Sequence, residues 1–282
     1  NKELFTNKVE DLISYNKQTL ITMGKENRRF VLEKKRESRK KFEGYFTKML
    51  DMCDDYQKFT IPDNVIEPEK LPNVSVIMLH NNDNAIVDKI MKYNQQYTSY
   101  PKDKIEWLVV TDKKEVTAEL EKYKKIDTSE INVMGEILNY ASKKAKHEYI
   151  VIMHDDCIYY PNSIYNRVYT LQENKVNCCF ATNKYYYDII RKESLPIHVD
   201  YRLDVTKRCN LYSLAYTKKY WKSKSFSPTW NNYNDIEFVK GKTRSCFELS
   251  YRNIGLSVIH GNNRFVKHVD VSKSKKQPLN IK

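Results

Sequence analysis

Residues 135–164, GEILNYASKKAKHEYIVIMHDDCIYYPNSI, decide how the rest of the chain is read. Ile137, Leu138, Ala141 and Ala145 recur at helical spacing, and residues 149–153 form an apolar run of buried-strand length. The strand ends on two carboxylates, Asp155 and Asp156, and Pro161 with Asn162 and Ser163 marks a turn and a new helix. In an open α/β sheet ligands bind outside the carboxyl ends of the strands. Acids placed there are candidates for holding a metal and, through it, a phosphate.

The same alternation extends on either side. Residues 74–79 read as a strand, 85–93 as a helix, 105–110 as a strand ending in Thr111 and Asp112, and 116–123 as a helix. This predicts an α/β fold with a mostly parallel sheet flanked by helices. Three strand ends then bring polar groups to one edge: residues 80–83 (HNND), Thr111 with Asp112, and residues 154–156 (HDD). Beyond the acids the pattern loosens. Residues 178–181 and 211–216 read as strands, 221–233 as an aromatic loop, 235–240 as a helix, and 256–259 as a last strand ending at His260.

Upstream, residues 1–60 lack proline and carry apolar residues at helical spacing, so 1–65 are expected to form a helical N-terminal extension and 66–282 the main domain. The basic run at residues 25–41 is read as a solvated helical face with i,i+4 ion pairs, ahead of a phosphate-binding patch. The tail from residue 273 is polar and basic. A first residue other than Met suggests a piece of a longer polypeptide.

The 282 residues suffice for a full core, and no apolar run reaches the roughly 18 residues of a membrane span. With no signal peptide, a cytoplasmic location is expected. The net charge of +13 favours anionic partners, whether nucleic acid, acidic lipid or phosphorylated small molecules. The six cysteines have no C-x-x-C spacing, which argues against a zinc knuckle and for reduced thiols. The abundance of Lys, Asn, Ile and Tyr with little Gly is similar to proteins of AT-rich genomes, giant viruses included.

Taken together these residues resemble a GT-A (Rossmann-like) glycosyltransferase, close to family 2 in pattern. The resemblance runs over residues 72–265 and rests on the strand at 74–77 followed by Asn82 and Asp83, on Gln95 and Tyr97, on residues 106–112, on 138–156 with the D-x-D region, and on 234–238. His154 stands where the first Asp of D-x-D is usual, and Leu138 where an Arg is common. The resemblance implies transfer of a sugar from a nucleoside diphosphate sugar, a UDP-sugar first, to the hydroxyl of a glycan or protein acceptor, with inversion. It implies Mn²⁺ or Mg²⁺, with Asp156 as direct ligand, Asp155 in support and His260, or failing it His268, as a further ligand. Asn82, Asp83 and Asp112 would face the nucleoside, Asp235 would be the general base, and Trp221, Trp230 and Tyr233 would stack on acceptor sugar.

Plainer readings stand beside these. Asp155 and Asp156 suit a turn, Asp235 an N-cap, His260 an ordinary strand end, and the tryptophans core packing. A nucleotidyltransferase, or a basic module binding nucleic acid or a membrane surface, are the rival classes. Self-association through the N-terminal helices is the expected route to a homo-oligomer.

Overall fold

The computed structural model describes Glu33 and residues 70–80, 85–113, 120, 122–182, 184–189, 191, 193–197, 209–228 and 234–260. The chain divides into two compact units, residues 1–53 and 54–282. Of the segment expected to form N-terminal helices only Glu33, which is helical, falls among the described residues.

The main sheet of the second unit has seven strands: β1 (Val74–Leu79), β2 (Ile105–Thr111), β3 (Lys124–Asp127), β4 (Tyr149–His154), β6 (Cys178–Ala181), β9 (Ala215–Thr217) and β10 (Cys246–Leu249). They lie in the order β10-β6-β9-β4-β1-β2-β3. β1 pairs in parallel with β2 and β4, and β10 with β6, whereas β9 runs antiparallel to both β4 and β6. A smaller sheet, in the order β5-β11-β7-β8, is built from β5 (Cys157–Tyr159), β7 (Lys184–Asp188), β8 (Glu193–Ile197) and β11 (Gly255–Ile259).

The central strands are apolar without alternation because both faces are covered. Val76 and Met78 of β1, Val109 of β2, and Val151 and Met153 of β4 face one side. There they meet Val87 and Met91 of α1 (Ala85–Tyr97) and Ile164, Val168 and Leu171 of α3 (Ser163–Glu173). Ile77, Leu79, Leu108, Val110, Ile150 and Ile152 face the other side. They meet Leu138 and Ala141 of α2 (Met134–Lys144), Tyr220 of α4 (Lys218–Ser223), and Phe238 and Val239 of α5 (Asn234–Val239). Each such aliphatic side chain, buried, contributes about 1.5–3 kcal/mol, so the double-faced strands carry much of the stability.

Three sequence expectations change. β3 follows Lys122 and Tyr123, which lie in a turn, so the helix expected at 116–123 stops before them; of that segment only residues 120, 122 and 123 are described. Residues 211–213 form a 3-10 turn rather than strand, and only Ala215–Thr217 pairs with β4 and β6. Trp221 lies in a helix, not a loop: Thr217 Oγ1 accepts from Tyr220 N at 3.1 Å and caps α4. The strand expected at 256–259 is present as β11, within the smaller sheet.

Candidate active site

Because β1, β2 and β4 are parallel neighbours, His80, Asp112 and Asp155 with Asp156 leave the sheet at one edge. His80 continues the ladder, its N–H donating to Val110 O at 2.8 Å, and Asp155 N donates to Leu79 O at 3.1 Å. The two acids that adjoin in sequence then part. Asp155 is buried at 4% exposure and turns toward β1, where its Oδ2 lies 3.3 Å from His80 Nδ1. Asp156 stays half-buried on the other flank.

What holds Asp156 is the junction of β5 with β11. These strands pair antiparallel, Cys157 opposite Ser257 and Tyr159 opposite Gly255. Val258 N donates to Asp156 O at 2.8 Å, which brings the end of β11, and with it His260, to the acids. Burial lowers the His260 imidazole below its ordinary range, and the Asp156 and then Asp155 carboxylates oppose that shift, so the imidazole lies within their field. The crossing depends on Gly255. Its φ of 155° and a would-be Cβ 2.2 Å from Ile158 O leave no room for a side chain.

The turn is fixed from behind by residues with no obvious chemical signature. Asn94, buried in α1, donates from Nδ2 to Cys157 O at 2.8 Å and accepts from Tyr159 N at Oδ1 at 2.9 Å. Asp156 O, Ile158 and Tyr160 N face β11 and Ile254, so Cys157 O and Tyr159 N between them point the other way and Asn94 satisfies them as a neighbouring strand would. Tyr159 Oη accepts from His154 N at 3.0 Å and donates to Tyr212 O at 2.8 Å, tying the end of β4 to the turn before β9. Under Tyr159 lies Arg167, fully buried. It donates to Ile152 O at 2.8 Å, Ser163 O at 3.1 Å and Ser163 Oγ at 3.0 Å, with its guanidinium 5.3 Å from the Tyr159 ring. Burial lowers its pKa to about 10.

β6 ends at the same edge. Thr182 Oγ1 and Asn210 Nδ2 are buried there without a hydrogen-bond partner, and Ser213 Oγ links their surroundings by donating to Asn210 O at 2.8 Å and accepting from Ala181 N at 2.9 Å.

Of the residues singled out in the sequence, the structure brings Asp155, Asp156 and His260 together and leaves Asp112 exposed at the end of β2. Asp235 falls in the first turn of α5, a helix anchored by Phe238, whose ring stacks on Phe226 at 3.9 Å. Trp221 is placed as a packing residue. α4 starts at the other end of β4, with Lys218 N donating to Glu148 O, and the indole N–H donates to Asn139 Oδ1 at 2.9 Å. Asn82, Asp83, Trp230, Tyr233 and His268 lie outside the described residues. A groove of 660 Å³ opens at the opposite edge, where β2 and β3 begin. It is lined by Lys92, Lys102, Lys122 and Lys124 with Trp107 and Tyr123, and it is remote from the acids.

Comparison with known proteins fits this geometry. A family model described as "Glycosyl transferase family 2" matches residues 75–240. Among solved structures, a mannosyltransferase from Pyrobaculum calidifontis, PcManGT, in complex with GDP-Man and Mn²⁺ aligns with a TM-score of 0.51 at 16% identity, covering 76% of this chain and 65% of that one. S. aureus TarS 1-349 in complex with UDP-GlcNAc aligns with a TM-score of 0.52 at 14% identity, covering 72% of this chain and 61% of that one. The chain thus spans less than two thirds of either protein, and at such identity the likeness is one of fold. Among curated protein sequences none matches.

Proposed function

Given that the chain belongs to glycosyl transferase family 2 and is a glycosyltransferase of GT-A fold, we propose that its donor is a nucleoside diphosphate sugar, a UDP-sugar in the first instance, held through a divalent cation at the β1–β4 edge. Membership of the family decides among the classes the sequence left open, in favour of sugar transfer over nucleotidyl transfer or passive binding. Among the described residues no helix is long and apolar enough to cross a membrane.

One observation carries the proposal: Asp156 and His260 converge where β5 crosses β11, beside the ends of β1 and β2. A carboxylate and a buried imidazole are donors that suit Mn²⁺. Among the described residues no group of three or more His, Cys, Asp or Glu is placed to hold a metal ion by itself, so in this reading phosphate oxygens and water would supply the other ligands. When bound, the cation would offset the charge that grows on the diphosphate leaving group. The residues of the chain do the rest. Asp155, 3.3 Å from His80 at the end of β1, would help to set the turn that presents Asp156. Asp112, with Asn82 and Asp83 by the family pattern, would accept hydrogen bonds from the nucleoside. Asp235 would take the proton of the acceptor hydroxyl from the opposite face of the sugar, giving inversion. PcManGT with Mn²⁺ and TarS with UDP-GlcNAc support the cation and the class of donor.

The test is calorimetric titration of UDP with and without Mn²⁺. Mn²⁺ is expected to tighten UDP binding in the unmodified protein and to lose that effect in Asp156→Asn; a variant that binds UDP and Mn²⁺ as before would overturn the assignment.

A further inference from the structure

Away from the acids, at the far side of the large sheet, three thiols gather on the face that carries α4 and α5: Cys178, Cys209 and Cys246. Cys178 in β6 and Cys246 in β10 are register partners on adjacent parallel strands. Register partners project to one face, and a strand separation of about 4.8 Å lies within the roughly 4.4–6.8 Å over which two Cα atoms are bridged by a disulfide. Both thiols are free, and they differ in access: Cys178 is fully buried, Cys246 partly exposed.

They differ in chemistry too. The Cys178 side chain, then the Tyr220 hydroxyl and the Lys224 ammonium, hold the Cys246 thiol below its ordinary range against the effect of burial. Burial pushes Cys178 well above that range. An accessible, acidified thiol beside a buried neutral one is the arrangement of an attacking and a resolving cysteine. The groups around Cys246 also hold α5. Tyr220 Oη donates to Phe238 O at 3.1 Å, and Lys224 Nζ donates to Lys240 O just past the helix.

We propose that Cys246 and Cys178 are a redox pair, closed to a disulfide by a hydroperoxide and reopened by a thiol reductant, and that closure disturbs the hold of Tyr220 on α5. The Cys246 thiolate attacks the outer peroxide oxygen. The O–O bond breaks, hydroxide leaves, and Cys246 becomes a sulfenic acid, its sulfur having given two electrons to the peroxide. The Cys178 sulfur then attacks the sulfenic sulfur. The S–S bond forms, and the sulfenic oxygen leaves as water with the Cys178 proton. A reducing dithiol reverses the change by exchange. The effect on turnover rests on the reading of Asp235 given above, since α5 carries it; the thiol chemistry does not.

The experiment treats the full, reduced 282-residue chain with stoichiometric hydrogen peroxide, blocks remaining thiols with iodoacetamide and maps the peptides by mass spectrometry. The expected result is a Cys178–Cys246 linked peptide that dithiothreitol abolishes, absent in Cys246→Ser. In Cys178→Ser, Cys246 is expected to be trapped by dimedone instead. Mn²⁺-dependent hydrolysis of UDP-sugars by the oxidised protein is expected to fall about a hundredfold, as for a displaced general base, and to recover on reduction. A Cys246 alkylated as fully as before, a link to Cys209 or Cys53 instead, or a disulfide with unchanged turnover would each overturn the proposal. If the reduced protein neither binds UDP with Mn²⁺ nor turns over any UDP-sugar, it is the donor assignment that fails, and the linked peptide still reports on the pair.

Discussion

Replacing Asn94 by Leu removes two buried hydrogen bonds while keeping a side chain branched at Cγ, and so tests what this amide does for the acidic turn. Its partners, Cys157 O and Tyr159 N, are enclosed between α1 and β5, at 2.8 and 2.9 Å from the amide. A buried backbone group left without a partner costs about 1–3 kcal/mol. Two such groups give about 2–6 kcal/mol, and the ability of β5 to relax toward β11 places the expected loss near the lower half, about 3 kcal/mol. Urea unfolding followed by circular dichroism measures it directly, as a lower midpoint at unchanged slope. The turn presenting Asp156 should loosen with it, so Mn²⁺-dependent UDP affinity, titrated well below the melting temperature, should fall about tenfold or more. A variant within about 1 kcal/mol of the parent, binding UDP and Mn²⁺ equally well, would refute the idea that Asn94 substitutes for a strand.

Asp235→Asn should lower kcat by about 10²–10⁴ with donor affinity retained; near-normal turnover in a single-turnover assay removes the base assignment. Gly255→Ala should destabilise the protein by about 1–3 kcal/mol or more, because its methyl group would meet Ile158 O at 2.2 Å, and an unchanged thermal midpoint would contradict that geometry. Burial raises the hydroxyls of Tyr159, Tyr212 and Tyr216 above their ordinary range. Their contribution to stability is therefore fully present below the unfolded value of about 10 and is lost as pH rises beyond it. Tyrosinate absorbance of these groups should appear together with loss of circular dichroism, and their ionisation in a still-folded protein would count against it.

The parts of the fold legible in the sequence were those whose burial is two-sided. β1, β2 and β4 are continuous apolar runs because helices cover both faces, and their parallel order follows from the helices between them. β3, with only Ile126 buried among lysines, carries the signature of a protected edge rather than of a core strand, and escapes a search for apolar runs. β5 is three residues long and gains its partners from α1 and β11, far along the chain. The acidic pair was visible at once, but its division was not. That Asp155 turns to His80 while both acids come within the field of His260 depends on tertiary pairing that no local pattern encodes. Asn94 reads as one more polar residue among Tyr93, Gln95 and Gln96, and nothing nearby distinguishes it. Trp221 was expected in an aromatic loop, and the cap in which Thr217 Oγ1 accepts from Tyr220 N places it in a helix instead.

The reversal of β9 within an otherwise parallel sheet has a consequence for how such an enzyme can change its tastes. At this edge β1, β2 and β4 all run outward, and each hands its terminal residues to the half of the rim that carries Asp112, Asp155 and Asp156. β9 runs inward, so Asn210 and the short turn at Leu211–Ser213 arrive at that rim from outside and then disappear into the core. The two halves are therefore furnished by chain travelling in opposite directions. Sequence grafted ahead of Asn210 would redraw the neighbourhood of Thr182 without touching the rim proposed to hold the donor, leaving one half free to drift while the other is kept.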